Sequence, residues 1–244
     1  MKKKINYRKT LFPKKPSYSN IMYYNSLTKL LIGIIIIIFG FIIFHYISFD
    51  HNKVKIKTIK TYKDRYIIPE NIVFLGDSIT KLYDLEKYYP NNNVVNSGVS
   101  GDVSEDILSD MYNRVYKYNP SKIFLLIGTN QLVTDSEEEI IEQIFKIIDE
   151  IHNNNPIASV YLESIYPVNN NIEKSPAKNR DNDKIIEINN KLKENCKKYK
   201  YEYVDIYTKL KDSNDNLKEE YTEDGLHLSD KGYEVVTDIL KKYL

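Results

Sequence analysis

The sequence predicts an α/β domain built on a five-stranded parallel sheet with helices on both faces. Three observations lead there. From Ile67 onward, short apolar runs alternate with amphipathic helical stretches. Most of the runs are apolar along their whole length rather than at every second residue, as strands covered on both faces are. The stretch that carries them, 66–244, is long enough to close one such core.

The five candidate strands are the runs Asn71–Leu75, Asn93–Asn96, Lys122–Ile127, Ser159–Glu163 and Tyr201–Asp205. Between the second and third, Asp102 to Tyr118 places Val103, Ile107, Leu108, Met111 and Val115 on one helical face, with Asp102 and Glu105 forming a capping box. Ser136 and Glu139 cap the next helix, whose apolar face is Ile140, Ile141, Ile144, Ile148 and Ile151. Asp181 to Tyr199 comes next, with Ile185, Ile188, Leu192 and Cys196 facing inward, so Cys196 is expected in the core and not as a nucleophile. The last helix begins near Ser229 and buries Val235, Val236, Ile239 and Leu240. The Asn-rich stretches 91–93, 153–155 and 169–171 fall between elements and read as loops.

Charge divides the chain differently. Its 35 Lys plus Arg and 34 Asp plus Glu give a net +1, but residues 1–29 hold eight basic side chains and no acidic one, and Leu30 to Phe49 holds no charge at all. Residues 50–65 carry six basic and two acidic side chains, which leaves 66–244 at about −11. An acidic body lacks the basic face that phosphate neutralisation needs, so nucleic acid is not an expected partner. The twenty uncharged residues from Leu30 span roughly 30 Å as a helix, the thickness of a bilayer core. A cleaved secretory signal competes with an uncleaved anchor here. The long basic lead, the length of the apolar run and the missing small-x-small cleavage pattern near Ser48 favour the anchor. The expected organisation is a basic cytoplasmic segment 1–29, a transmembrane signal anchor 30–49, a stalk 50–65 and a catalytic domain 66–244. The excess of basic residues before the span places the catalytic domain outside the cell. A single cysteine excludes an intramolecular disulfide or a cysteine-based zinc cluster.

Ligands of open parallel sheets bind at the carboxyl ends of the strands, so the residues just after each run matter most. The first runs into Gly76-Asp-Ser-Ile-Thr80, the second into Ser97-Gly-Val-Ser-Gly-Asp102 and the third into Gly128-Thr-Asn-Gln131, while Asp224-Gly-Leu-His227 precedes the final helix. Together these supply the parts for acyl transfer. Ser78 is the candidate nucleophile, which needs a base within hydrogen-bond reach. His227 is the candidate base, and Asp224 can hold its other ring nitrogen. The oxyanion donors are the backbone N–H groups of Ser78 and Gly101 and the side-chain amide of Asn130. Each piece alone has a plainer explanation as a turn or cap. Their joint occurrence in this order favours catalysis. Thr80 stands where a Gly-x-Ser-x-Gly elbow would need glycine, no P-loop or dinucleotide fingerprint is present, and no metal site or cofactor is expected.

The set Gly76-Asp77-Ser78, Gly101, Gly128-Thr-Asn130 and Asp224-Gly-Leu-His227 resembles the GDSL or SGNH hydrolase superfamily. The resemblance extends from Ile72 to about Val236. Through Asn96–Asp102, Leu162–Val168 and Tyr221–Leu228 it is similar to the branch with platelet-activating-factor acetylhydrolase catalytic subunits. It implies a flavodoxin-like three-layer α/β/α sandwich, a cofactor-free esterase, and a Ser78–His227–Asp224 triad with Ser78, Gly101 and Asn130 around the oxyanion. The expected substrate is an ester of surface carbohydrate or lipid with a short acyl group such as acetyl. Acyl transfer to a surface polysaccharide, or a non-catalytic surface binding role, are the alternatives. The family often has Asp after the third-block Asn; Gln131 stands there, and altered substrate contacts are expected from it.

Overall fold

The computed structural model describes residues 71–244 other than Lys174, Lys178 and Lys200, together with Leu30. The expected basic segment 1–29, anchor 30–49 and stalk 50–65 lie outside the described residues, Leu30 apart. Among the described residues, no helix is long and apolar enough to cross a membrane. The chain divides into two units, Met1–Tyr66 and Ile67–Leu244, and the sheet with its helices belongs to the second.

Five strands, β1 (Ile72–Gly76), β2 (Val94–Gly98), β3 (Lys122–Leu126), β4 (Ser159–Glu163) and β5 (Glu202–Val204), form one sheet in the order β2-β1-β3-β4-β5, all neighbours parallel. This is the flavodoxin-like doubly wound order, in which the chain winds outward from β1 in both directions and opens a crevice beside its carboxyl end. The continuous apolar runs result from burial on both faces. Val73, Leu75, Ile123 and Leu125 share one core cluster with residues of the long helices, while Ile72, Phe74, Phe124 and Leu126 share a second on the other face.

Among the described residues, eight α-helices connect and cover the strands: α1 (Ser78–Lys81), α2 (Leu85–Tyr88), α3 (Ser104–Ser109), α4 (Met111–Arg114), α5 (Glu137–Asn154), α6 (Asn182–Tyr199), α7 (Tyr207–Leu210) and α8 (Asp230–Leu240). Helix α5 has the expected Ser136–Glu139 capping box and buries Ile140, Ile144, Ile147, Ile148 and Ile151; Ile141 is half-buried. Helix α6 buries Ile185, Ile188, Leu192 and Cys196 as expected, and burial pushes the Cys196 thiol up to about 11. Helix α8 is capped by Ser229 and buries Val236 and Leu240, with Tyr233 beside them and Val235 and Ile239 half-buried.

The helix expected over 102–118 is broken. It divides into α3, α4 and a 3-10 turn, Tyr116–Tyr118, with interruptions at Asp110 (φ −133°, ψ 37°) and Val115 (φ −133°, ψ −60°). Its cap also differs. Val103 is the N-cap residue and its N–H donates to Asp106 Oδ2 at 3.0 Å, whereas the Asp102 carboxylate is committed to Arg114. The breaks let Ile107, Met111 and Val115 stay buried while Arg114 turns inward.

Glu163, the last residue of β4, is buried with one hydrogen-bond donor, the Tyr166 hydroxyl at 2.5 Å. Burial raises its carboxyl to about 7, only partly opposed by that hydrogen bond. The native state therefore favours the protonated acid. The associated stability is full below the ordinary carboxyl range and is lost as pH rises to about 7. Glu163→Gln removes this dependence. The variant-minus-wild-type difference in Tm should grow more positive between pH 4.5 and 7 and then level off; a difference independent of pH would contradict the buried neutral acid.

Candidate active site

Four segments meet at the carboxyl edge of the sheet around the β1–β3 crevice. Ser78 opens α1, directly after β1, and the preceding Asp77 caps that helix by accepting from Ile79 N at 2.9 Å. The Ser78 N–H lies in the first turn, where a helix offers no acceptor. Ser78 itself is 8% exposed, so its hydroxyl sits in a low-dielectric setting with an opening to solvent.

The three residues expected to act together lie within hydrogen-bond reach of one another. His227 Nε2 lies 3.0 Å from Ser78 Oγ, and His227 Nδ1 lies 2.7 Å from Asp224 Oδ2. The other carboxylate oxygen, Oδ1, accepts from Leu226 N at 2.9 Å and His227 N at 2.8 Å. Burial alone pushes the Asp224 carboxyl up, but the hydrogen bonds from His227 and the two backbone N–H groups outweigh it and hold the group below its ordinary range. An ionised Asp224 keeps the proton of neutral His227 on Nδ1, which leaves Nε2 as an acceptor for the serine hydroxyl. Gly225 lets the loop turn this tightly: its φ is 83°, and a Cβ there would stand 2.2 Å from Asn169 O.

Helix α8 sets the distance between base and nucleophile. It starts just after His227, and its Tyr233 hydroxyl donates to Ile79 O at 2.7 Å, while Thr237 Oγ1 and the Tyr83 hydroxyl share a hydrogen bond of 2.5 Å. These bonds fasten α8 to the turn that carries Ser78.

The oxyanion candidates come from the next two segments. Gly101 has φ 87° and open space where a Cβ would be, so backbone conformation and not crowding requires glycine. The adjacent Asp102 carbonyl accepts from Asn130 Nδ2 at 2.9 Å, which joins the second segment to the third. Arg180 donates from Nη2 to Asn130 Oδ1 at 3.1 Å and from Nε to Thr129 O at 2.8 Å. The 164–181 connection that carries Arg180 is held at its other side by Asn169 N donating to Gly225 O at 2.8 Å.

Arg114, 7% exposed, binds the whole edge together. Its Nη1 pairs with Asp102 Oδ2, Nη2 donates to Gly76 O at 2.9 Å and Ser97 O at 2.6 Å, and Nε donates to Ser97 O at 3.2 Å. Neither arginine role is visible in the sequence, since no motif or spacing distinguishes a buried arginine from a helix-surface one. Gln131 is 1% exposed, its Oε1 accepts from Ser104 N (3.0 Å) and Oγ (2.7 Å), and its Nε2 donates to Asp135 Oδ2 at 3.0 Å and to Gln143. A side chain so enclosed ties the third segment to α3.

Asp77 is buried with Oδ2 unpartnered, and desolvation raises its carboxyl to about 7 against the opposing pull of the Ile79 N–H, His227 and Arg180. Among the described residues, no group of three or more His, Cys, Asp or Glu side chains could hold a metal ion.

The sequence model of the GDSL-like Lipase/Acylhydrolase family matches residues 74–235. Among solved structures, a Streptococcus pneumonia protein named for platelet activating factor is 32% identical, with a TM-score of 0.67 over 82% of this chain and 94% of its own. A GDSL-like lipase from Bacteroides thetaiotaomicron is 22% identical, with a TM-score of 0.63 over 76% of this chain and 96% of its own, a likeness of fold. An N-acylneuraminate cytidylyltransferase from Escherichia coli is 29% identical over 189 residues, 76% of this chain and 42% of that protein. The chain thus spans less than half the length of this curated relative.

Removing one partner of a buried ion pair strands the other, at a cost of about 3–5 kcal/mol. Arg114→Met and Asp102→Asn should each lower the stability of the full chain by that order in urea unfolding, the second because an amide keeps an acceptor for Nη1 but leaves the guanidinium charge uncompensated. Equal, small losses for both would show that the pair does not hold the edge.

Proposed function

Since the chain belongs to the GDSL-like lipase/acylhydrolase family and is accordingly a serine ester hydrolase, we propose that it cleaves short acyl esters of carbohydrate with Ser78 as nucleophile. The observation that carries this is the continuous chain of contacts from Ser78 Oγ through the His227 ring to Asp224, at 3.0 and 2.7 Å.

His227 Nε2 takes the proton of Ser78 as Oγ attacks the ester carbonyl, and Asp224 stabilises the imidazolium that forms. The carbonyl oxygen becomes an oxyanion facing the N–H groups of Ser78 and Gly101 and the Asn130 amide. As the tetrahedral intermediate collapses, His227 gives its proton to the leaving alcohol and an acyl-serine remains. Water then attacks this ester with His227 again as base, and collapse returns the proton to Ser78 and releases the acid.

Two observations support the substrate class. The Escherichia coli relative is named for a sugar acid, which supports the carbohydrate part alone, since its N-acyl group is an amide. The 164–181 connection is pinned through Asn169 and Arg180 rather than free to fold over a long acyl chain. The same proposal includes the division of the chain into 1–29, 30–49, 50–65 and 66–244, with 30–49 as a membrane anchor and the hydrolase outside; the uncharged run and the basic lead support it.

The full-length protein should hydrolyse p-nitrophenyl acetate faster than longer p-nitrophenyl esters and should release acetate from acetylated polysaccharide. Ser78→Ala should abolish turnover. Equal rates for wild type and Ser78→Ala would sink the assignment, and preference for long chains or lysophospholipid would replace the substrate class. Topology has a separate test: Thr58→Cys, read against buried Cys196, should react with an impermeant maleimide on intact cells. Reaction only after lysis would place the hydrolase inside.

A further inference from the structure

We propose that Arg180 is a positioning residue for Asn130: it fixes which end of the Asn130 carboxamide faces the reacting carbonyl and strengthens that amide as a donor. This rests on the proposed role of Asn130 as an oxyanion donor.

A carboxamide has an accepting oxygen and a donating nitrogen of nearly the same shape, so its orientation depends on neighbours that distinguish the two. Both neighbours of Asn130 do so. Arg180 Nη2 donates to Oδ1 at 3.1 Å, and Nδ2 donates to Asp102 O at 2.9 Å. With the amide turned over, two N–H groups would confront each other at Arg180 and two carbonyl oxygens at Asp102. In the observed orientation one Nδ2 hydrogen is used by Asp102 and the second is left for an oxyanion.

The guanidinium is itself held in place. Its Nε donates to Thr129 O at 2.8 Å and its Nη1 to Pro176 O at 2.8 Å, both independent of the Asn130 side chain. These partners are neutral carbonyls, and none of the ion pairs among the described residues includes Arg180. Burial pushes its pKa down from the ordinary value, and the nearby Asp77 opposes this. A charge-assisted bond to Oδ1 draws electron density from the amide nitrogen and makes the remaining N–H a better donor. That improvement matters most when the substrate oxygen carries full negative charge, in the transition state. Only a planar fork can bond Thr129 O, Pro176 O and Asn130 Oδ1 at once; a lysine ammonium lacks that geometry.

The test is a double-mutant cycle on the full-length protein with p-nitrophenyl acetate: wild type, Arg180→Ala, Asn130→Ala and the double variant. Asn130→Ala should lower kcat/KM by on the order of 10² to 10³, as removing one oxyanion donor does. Arg180→Ala should lower it by roughly 10-fold, and the double variant should be within about twofold of Asn130→Ala alone, because Arg180 then has nothing to act through. Guanidinium ion at tens of millimolar should restore part of the activity of Arg180→Ala and none to the double variant. An equal loss from Arg180→Ala with and without Asn130 would overturn the positioning role while leaving Asn130 as the donor. Unchanged turnover in Asn130→Ala would overturn the oxyanion reading itself. Should Arg180→Ala not fold, Arg180→Met replaces it in the cycle with the same expected coupling.

Discussion

The site depends first on one buried charge, that of Arg114. Its guanidinium reaches the carbonyls of Gly76 and Ser97, at the ends of β1 and β2, and the carboxylate of Asp102. Through Asp102 the restraint passes to Asn130, whose amide bonds the Asp102 carbonyl, and so to the end of β3. Three strand ends are thereby held in one geometry, to which the Ser104–Gln131 contact adds. A buried pair of this kind is costly to desolvate and adds little net stability compared with an apolar replacement. Its value here is geometric, since the proposed nucleophile and oxyanion donors follow the ends of separate strands and must keep their spacing within fractions of an ångström.

A second set of contacts sets the electrostatics. Three donors hold Asp224 below its ordinary range, while burial raises Asp77, one residue before Ser78, to about 7. Two carboxyl groups near one histidine thus titrate in different ranges because Asp77 is fully buried with a donor on one oxygen alone, whereas Asp224 is more exposed and has donors on both. Only Asp224 contacts the ring. Arg180 completes the arrangement with a positive charge bonded to the carboxamide of Asn130, the proposed oxyanion donor.

Much of this could be read from the sequence, and the physical reasons differ by residue. The strands were legible because burial on both faces leaves continuous apolar runs, and α5 because Ser136 and Glu139 mark its start locally. Ser78, Gly101, Asn130, Asp224 and His227 stood out as candidates because each stands in a short motif, most of them at a carboxyl strand end. The break in the 102–118 helix was not. Its periodicity is helical, and the interruptions at Asp110 and Val115 accompany the long-range contacts of Arg114 with Gly76 and Ser97. The tie made by Gln131 was not legible either: its partner Ser104 is 27 residues away, and nothing local marks the contact. Arg114 and Arg180 act through partners distant in sequence, so only the folded chain reveals them.

The central claim is that Ser78, and no other serine, is made nucleophilic by His227. Phenylmethylsulfonyl fluoride reports this directly, since it sulfonylates a serine hydroxyl only where a base has activated it. Treating the full-length protein and mapping the adduct by peptide mass spectrometry should find a single label on the peptide containing Ser78, and no label when His227 is replaced by Ala. A label on another serine, or an equal label on Ser78 without His227, would contradict the account.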